Sequence, residues 1–183
     1  MQQYKRLRTL AAPTLACATL LAGVGSAFGH DSHSRLDTRL RGYEETPSAI
    51  STTAKGHFSA HYDKASATVT YELSYHDLEG DVRQAHIHFG KRGLNGGIMV
   101  WLCQTTFNPA PAAVAAAVPV CPQSGSVTGV INSVSVLGPA AQGIEPAAFD
   151  EFVRAIRNNA GYVNVHSSKW PAGEIRGQLG RDD

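Results

Sequence analysis

The chain predicts an all-β fold: an antiparallel sandwich or flattened barrel with one short capping helix. Three observations carry this expectation. Apolar and polar residues alternate with a period of two along most of the chain, the mark of half-buried strands. Clusters of Gly, Pro, Asp and Ser separate these stretches at short intervals. Only one segment spaces its apolar residues as a helix does.

The strands follow in order. In HFSAHYD (57–63), Phe58, Ala60 and Tyr62 alternate with His57, Ser59 and His61. In ATVTYELSYHDL (67–78), Val69, Tyr71, Leu73 and Tyr75 share one face. The turn-like DKAS between these runs predicts a hairpin. VRQAHIHF (82–89) comes next, then GIMVWLC (97–103), apolar enough to be covered on both faces. GSVTGVINSVSVLGP (125–139) supplies one or two more. GYVNVHS (161–167) and GEIRGQLG (173–180), separated by a turn on Pro171, complete seven or eight strands.

The helix falls within EPAAFDEFVRAIRNNAG (145–161), where Phe149, Phe152, Val153 and Ile156 recur at helical spacing. Pro146 suits a first turn, Asp150 and Glu151 lie early, and Arg154 and Arg157 lie late, as the helix dipole prefers. Gly161 is the expected stop. Residues 104–120, rich in Ala and Pro without amphipathic period, predict a surface loop.

The first 29 residues read as a signal peptide. Lys5, Arg6 and Arg8 precede an apolar Leu10–Val24 core, and small residues follow near Ala27–Gly29. The core is too short for a membrane span, which needs roughly 20 residues. The mature chain is expected to begin between Phe28 and His33, in the periplasm or outside the cell, with a flexible start over residues 30–35 and one domain over 36–181. Removing residues 1–29 takes three of the 16 basic residues and none of the 15 acidic ones, leaving a formal −2. That balance excludes a nucleic-acid partner held by general charge. Cys103 and Cys121 are then the remaining cysteines, and in an exported chain they read as a disulfide.

One stretch stands out for chemistry. In AHIHFGKRGLNGG (85–97), His86 and His88 project to one face of a strand while Ala85, Ile87 and Phe89 point to the other. His166, in YVNVHS, shares its face with Tyr162 and Asn164. If these strands are neighbours, three imidazoles meet at one partly exposed site, with nitrogens about 3–4 Å apart, suited to copper or, less well, zinc. Solvated histidines on a polar strand face are the ordinary alternative, and both readings stand on the sequence alone. His57, His61 and His76 read as solvated surface, and His30 and His33 belong to the flexible start. Glu44 and Glu45 face opposite ways beside the turn at Pro47. Glu174 and Arg176 face together, as an anchor for the last strand. There is no G-x-S-x-G, HExxH or phosphate-binding glycine loop.

Three segments together carry a resemblance: the L-x-G-x-x-E-x-P opening at Leu40–Pro47, the AHIH-x-G core, and the closing YVNVH followed by P-x-GEIRGQ. In this order they resemble the CHRD domain, first described as repeats in chordin. The resemblance implies an extracytoplasmic, immunoglobulin-like β-barrel and no established activity. No residue here matches one that would carry over chordin's binding of growth factors. More loosely, the order of His86, His88 and His166 is similar to the copper ligands of Cu,Zn superoxide dismutases, which lie in a Greek-key barrel. The dismutase zinc set and a clear active-site arginine after the last histidine are missing. The expectation is therefore a non-enzymatic exported module that binds an extracytoplasmic protein, a surface ligand or a metal. A copper-dependent redox protein acting on superoxide or a related species is the alternative.

Overall fold

The computed structural model describes Met1 and residues 35–180. Apart from Met1, the expected signal peptide lies outside the described residues, as do His30 and His33. Eight strands form one antiparallel sheet: β1 (Arg35–Arg41), β2 (Lys55–Asp63), β3 (Thr68–His76), β4 (Val82–Phe89), β5 (Ile98–Cys103), β6 (Gly125–Ile131), β7 (Gly161–Ser167) and β8 (Ile175–Leu179). Their spatial order is β5-β4-β7-β8-β1-β2-β3-β6. The end strands β5 and β6 meet, so the sheet curls into a nearly closed barrel. Around that seam the order β7-β4-β5-β6 is a Greek key.

The seam is closed by means other than a strand ladder. The Tyr71 hydroxyl donates to the Leu102 carbonyl at 2.7 Å. The Leu137 amide donates to the Met99 carbonyl at 2.9 Å. Cys103 and Cys121 form the expected disulfide, 2.04 Å between sulfurs. Tyr71 reaches across only because its register partner on β6 is Gly129, where a Cβ would lie 2.5 Å from the hydroxyl.

Inward-facing residues fill the barrel, among them Leu40, Phe58, Leu73, Val163, Ile175 and Leu179, each fully buried. The alternation anticipated these faces from β2 onward. It did not mark β1, whose outward residues Arg35, Asp37, Arg39 and Arg41 are all charged. The structure pairs β1 with β2 along its whole length, and with β8 at Arg41↔Arg176. Of 125–139 only the first half is a strand; Ser133–Ser135 is a 3-10 turn closed by Asn132.

The helix α1 (Phe149–Arg157) buries Phe149, Phe152, Ala155 and Ile156. It is shorter than the expected segment. Pro146 precedes it, and Asn159, at φ 56°, turns the chain in the left-handed region before Gly161 opens β7. The loop 104–120 is organised around Gln104. Its Nε2 donates to the Ala115 and Val118 carbonyls at 2.7 Å, and its Oε1 accepts from the Ala110 amide at 2.9 Å.

Candidate metal centre

Strand geometry builds the site. In the β4–β7 ladder Gln84 pairs with His166, His86 with Asn164 and His88 with Tyr162. All six side chains therefore project from the outer face, opposite the core residues Ala85, Ile87, Val163 and Val165. The three imidazoles converge from two adjacent strands. Ring centroids are 5.3 Å apart for His86 and His88, 5.0 Å for His86 and His166, and 6.0 Å for His88 and His166. One nitrogen from each lies within 4.8 Å of the others. The nearest pair, His86 Nδ1 and His166 Nε2, is 3.2 Å apart.

An outer barrel face is ordinarily wet, and the sequence suggested partial exposure. The structure corrects this. His86 is 0 % exposed, His166 6 % and His88 9 %. Loops 42–54, 90–97 and 168–173 attach to the polar face of β4, β7 and β8 and exclude water from it.

Each loop is fastened by a named polar residue. Glu174, fully buried, accepts from the Thr52 hydroxyl at 2.8 Å and the Glu79 amide at 2.7 Å. Arg176, 1 % exposed, donates to Thr46 Oγ1 at 2.8 Å, to Asn95 Oδ1 at 3.2 Å, and to the Leu94 and Lys91 carbonyls at 2.8 and 3.3 Å. Its guanidinium also lies 3.4 Å from the ring centroid of Tyr162, which stacks on His88 at 4.8 Å and 5°. Glu45, a buried residue of the first loop, accepts from Asn164 Nδ2 through both oxygens, at 3.2 and 3.1 Å. Gly173, at φ 137°, passes so close that a Cβ would sit 2.8 Å from Glu45 and 2.5 Å from Asn164.

The sequence placed Glu174 and Arg176 on one face, as found, but gave them a single joint role as a strand anchor. In the structure both hold loop 42–54, Glu174 through Thr52 and Arg176 through Thr46, and Arg176 alone also holds loop 90–97. Glu44 and Glu45 do point opposite ways: Glu44 pairs with Arg92 at 2.8 Å near the surface, while Glu45 is buried. The role of Glu45 was not anticipated; its one signal was its place in the Leu40–Pro47 motif. His57 and His76 are surface residues paired with Asp37 and Asp77.

The hydrogen bonds set the tautomers. His88 Nδ1–H donates to the Gly96 carbonyl at 3.0 Å, and His166 Nδ1–H donates to the Pro171 carbonyl at 3.0 Å. The Nε2 lone pairs of both rings then face inward, as second-shell carbonyls commonly arrange for ligating imidazoles. Burial, and then the neighbouring imidazoles, push His86 down to about 2. Burial lowers His88 to about 4 against the opposing bond to Gly96, and lowers His166 against its bond to Pro171. All three are neutral at physiological pH, with lone pairs available.

This donor set fits a metal ion. Nε2 of His88, one of the three atoms that would ligate, is buried without any hydrogen-bond partner. Such an atom costs about 1–3 kcal/mol in a closed protein interior. Two nitrogens bound to one ion at about 2.0–2.1 Å stand roughly 3.3 Å apart in tetrahedral geometry, close to the observed His86–His166 spacing. The set of three lies within 4.8 Å, looser than the expected spacing of about 3–4 Å. An ion there would take His86 through Nδ1 and the other two through Nε2. Among the described residues this is the one such group of His, Cys, Asp and Glu. No described helix is long and apolar enough to cross a membrane.

Comparison with known proteins agrees with the layout. No curated protein and no solved structure matches the chain. The profile of one family, the CHRD domain, matches residues 36–179. That span runs from β1 to the end of β8 and includes all three histidines, the loop fasteners Glu45, Glu174 and Arg176, and the disulfide. The chain belongs to the CHRD domain family.

Proposed function

We propose that this chain is an exported, non-enzymatic binding module that holds a copper ion through His86, His88 and His166. The observation that carries the reading is the buried convergence of three neutral imidazoles, two of them oriented by backbone carbonyls, with the Nε2 of His88 left unpartnered. The disulfide supports an oxidising compartment.

Copper is favoured over zinc because among divalent ions it binds such nitrogen donors most tightly. The second reading, a copper enzyme acting on superoxide, needs an ion that its substrate can reach. The burial of all three rings weighs against it.

Untagged protein purified from the periplasm or culture medium tests both parts. Elemental analysis is expected to find one copper per chain, and N-terminal sequencing a start between Phe28 and His33. Protein that neither carries nor takes up copper sinks the metal reading. An intact Met1 on a membrane-embedded product sinks export.

A further inference from the structure

The three rings do not meet the outside world equally. His88 is stacked under Tyr162, which is 2 % exposed, and His166 lies under the 168–173 loop. His86 instead meets Trp101, ring centroids 4.3 Å apart and nearly perpendicular at 79°. Trp101, its register partner across the β4–β5 ladder, is only partly buried. It also lines a groove of about 230 Å³ between the barrel seam and the disulfide loop. The residues lining that groove carry no charged side chain, and Val130 and Val134 stand at it 57 % and 67 % exposed. Among the described ring contacts, Trp101 is the aromatic that joins the buried histidines to an open surface.

We infer that Trp101 is the electron port of the site, through which copper exchanges single electrons with a one-electron carrier at this groove. The inference rests on the copper reading. Closed loops prevent a carrier from touching the ion, so the electron has to pass through the protein. An indole in contact with a ligand ring gives the shortest π route outward. The step balances simply: Cu(I) becomes Cu(II), and the external oxidant gains the electron. No bond breaks and no proton moves, because the ligand rings are neutral throughout. The uncharged groove suits a carrier that presents an apolar edge around its redox group.

The test uses the full mature chain loaded with Cu(I), with copper content measured first. Ferricyanide, an anionic one-electron oxidant, is mixed in by stopped flow. Trp101→Leu is expected to keep its copper and slow oxidation by an order of magnitude. At low salt Val134→Lys is expected to speed the reaction several-fold and Val134→Glu to slow it by a similar factor, and both effects should fade near 1 M salt. A cationic cobalt(III) oxidant should reverse these signs, while the same charges placed at His61 should change little. A second reading needs no turnover: in Trp170→Phe, Trp101 is the one tryptophan left of two, and bound copper should quench its emission. Failure to load copper overturns the metal reading, and this inference with it. Normal loading with wild-type rates in Trp101→Leu overturns the port alone. Equal effects of charge at 134 and 61 do the same, and they decide the matter even if Trp101→Leu misfolds.

Discussion

Arg176 lies 3.4 Å from the ring centroid of Tyr162. Because Tyr162 stacks in turn on His88, a cation, a phenol and a candidate ligand form one column. The guanidinium also supplies four hydrogen bonds to loops 42–54 and 90–97. Arg176→Met keeps the stem but leaves the Leu94 carbonyl and Thr46 hydroxyl without that donor. It is expected to cost several kcal/mol in urea unfolding, since each buried acceptor left without its donor costs about 1–3 kcal/mol. Arg176→Lys should lose part of this, since one ammonium cannot reproduce the planar fork. Limited proteolysis should find new cleavage within 42–54 and 90–97. An unchanged midpoint and cleavage pattern would show that the loops hold without the column.

His86 and His166, 80 residues apart in sequence, bring nitrogens to 3.2 Å. Replacing either with alanine is expected to abolish stoichiometric Cu(II) binding in calorimetric titration. Replacing His88 removes the third donor and should have the same effect. His61→Ala, on the outer face of β2, should bind as the parent does. In the apo protein His88→Phe keeps the stack on Tyr162 and removes an unpartnered nitrogen but gives up the bond to the Gly96 carbonyl, so its stability should change little. If His166→Ala still binds one copper, the three-ligand site is wrong.

How far the sequence alone reaches follows from these residues. The period of two put His86 with His88, and His166 with Tyr162 and Asn164, because the pleat fixes side-chain direction locally. Their convergence depended on β4 and β7 being neighbours, a long-range pairing that alternation cannot encode. Burial was misjudged for a related reason. A polar strand face reads as wet, yet this one is roofed by loops whose contacts, such as Thr46 to Arg176 and Thr52 to Glu174, span more than a hundred residues. β1 was passed over because its charged outward positions obscure Leu36 and Leu40. Gln104 gave no local sign that it would order the disulfide loop.

That loop bears on the disulfide. The chain-entropy model gives about 3 kcal/mol for a crosslink of this span. The Gln104 bonds to Ala110, Ala115 and Val118 hold part of the loop independently of the sulfurs. Cys103→Ser is therefore expected to lower stability by less than the model figure and to lower the thermal midpoint. Gln104→Ala in the same background should remove a further share. Unreduced mature protein should show no free thiol, and two free thiols would contradict the pairing.

Glu45 gives the site region a pH dependence of known sign. Burial raises its carboxyl to about 7, against the lowering effects of the Asn164 bond, the Arg176 charge and the Thr46 amide. Between the unfolded value near 4.5 and about 7, the folded chain holds a proton that the unfolded chain has lost. The stability linked to Glu45 is thus fully present below pH 4.5 and is lost as pH rises through 7. The shift corresponds to about 3 kcal/mol at most. Glu45→Gln keeps an acceptor for Asn164 and cannot ionise, so the variant should gain on the parent as pH rises. The two proteins are compared by urea unfolding at pH 5 and pH 8. Titration of the buried histidines enters both proteins and largely cancels in the difference. The Glu45→Gln variant is expected to be more stable by a larger margin at pH 8 than at pH 5. An equal margin at both values, or one that shrinks with rising pH, would mean that the Glu45 carboxylate is ionised and well compensated by Arg176 throughout.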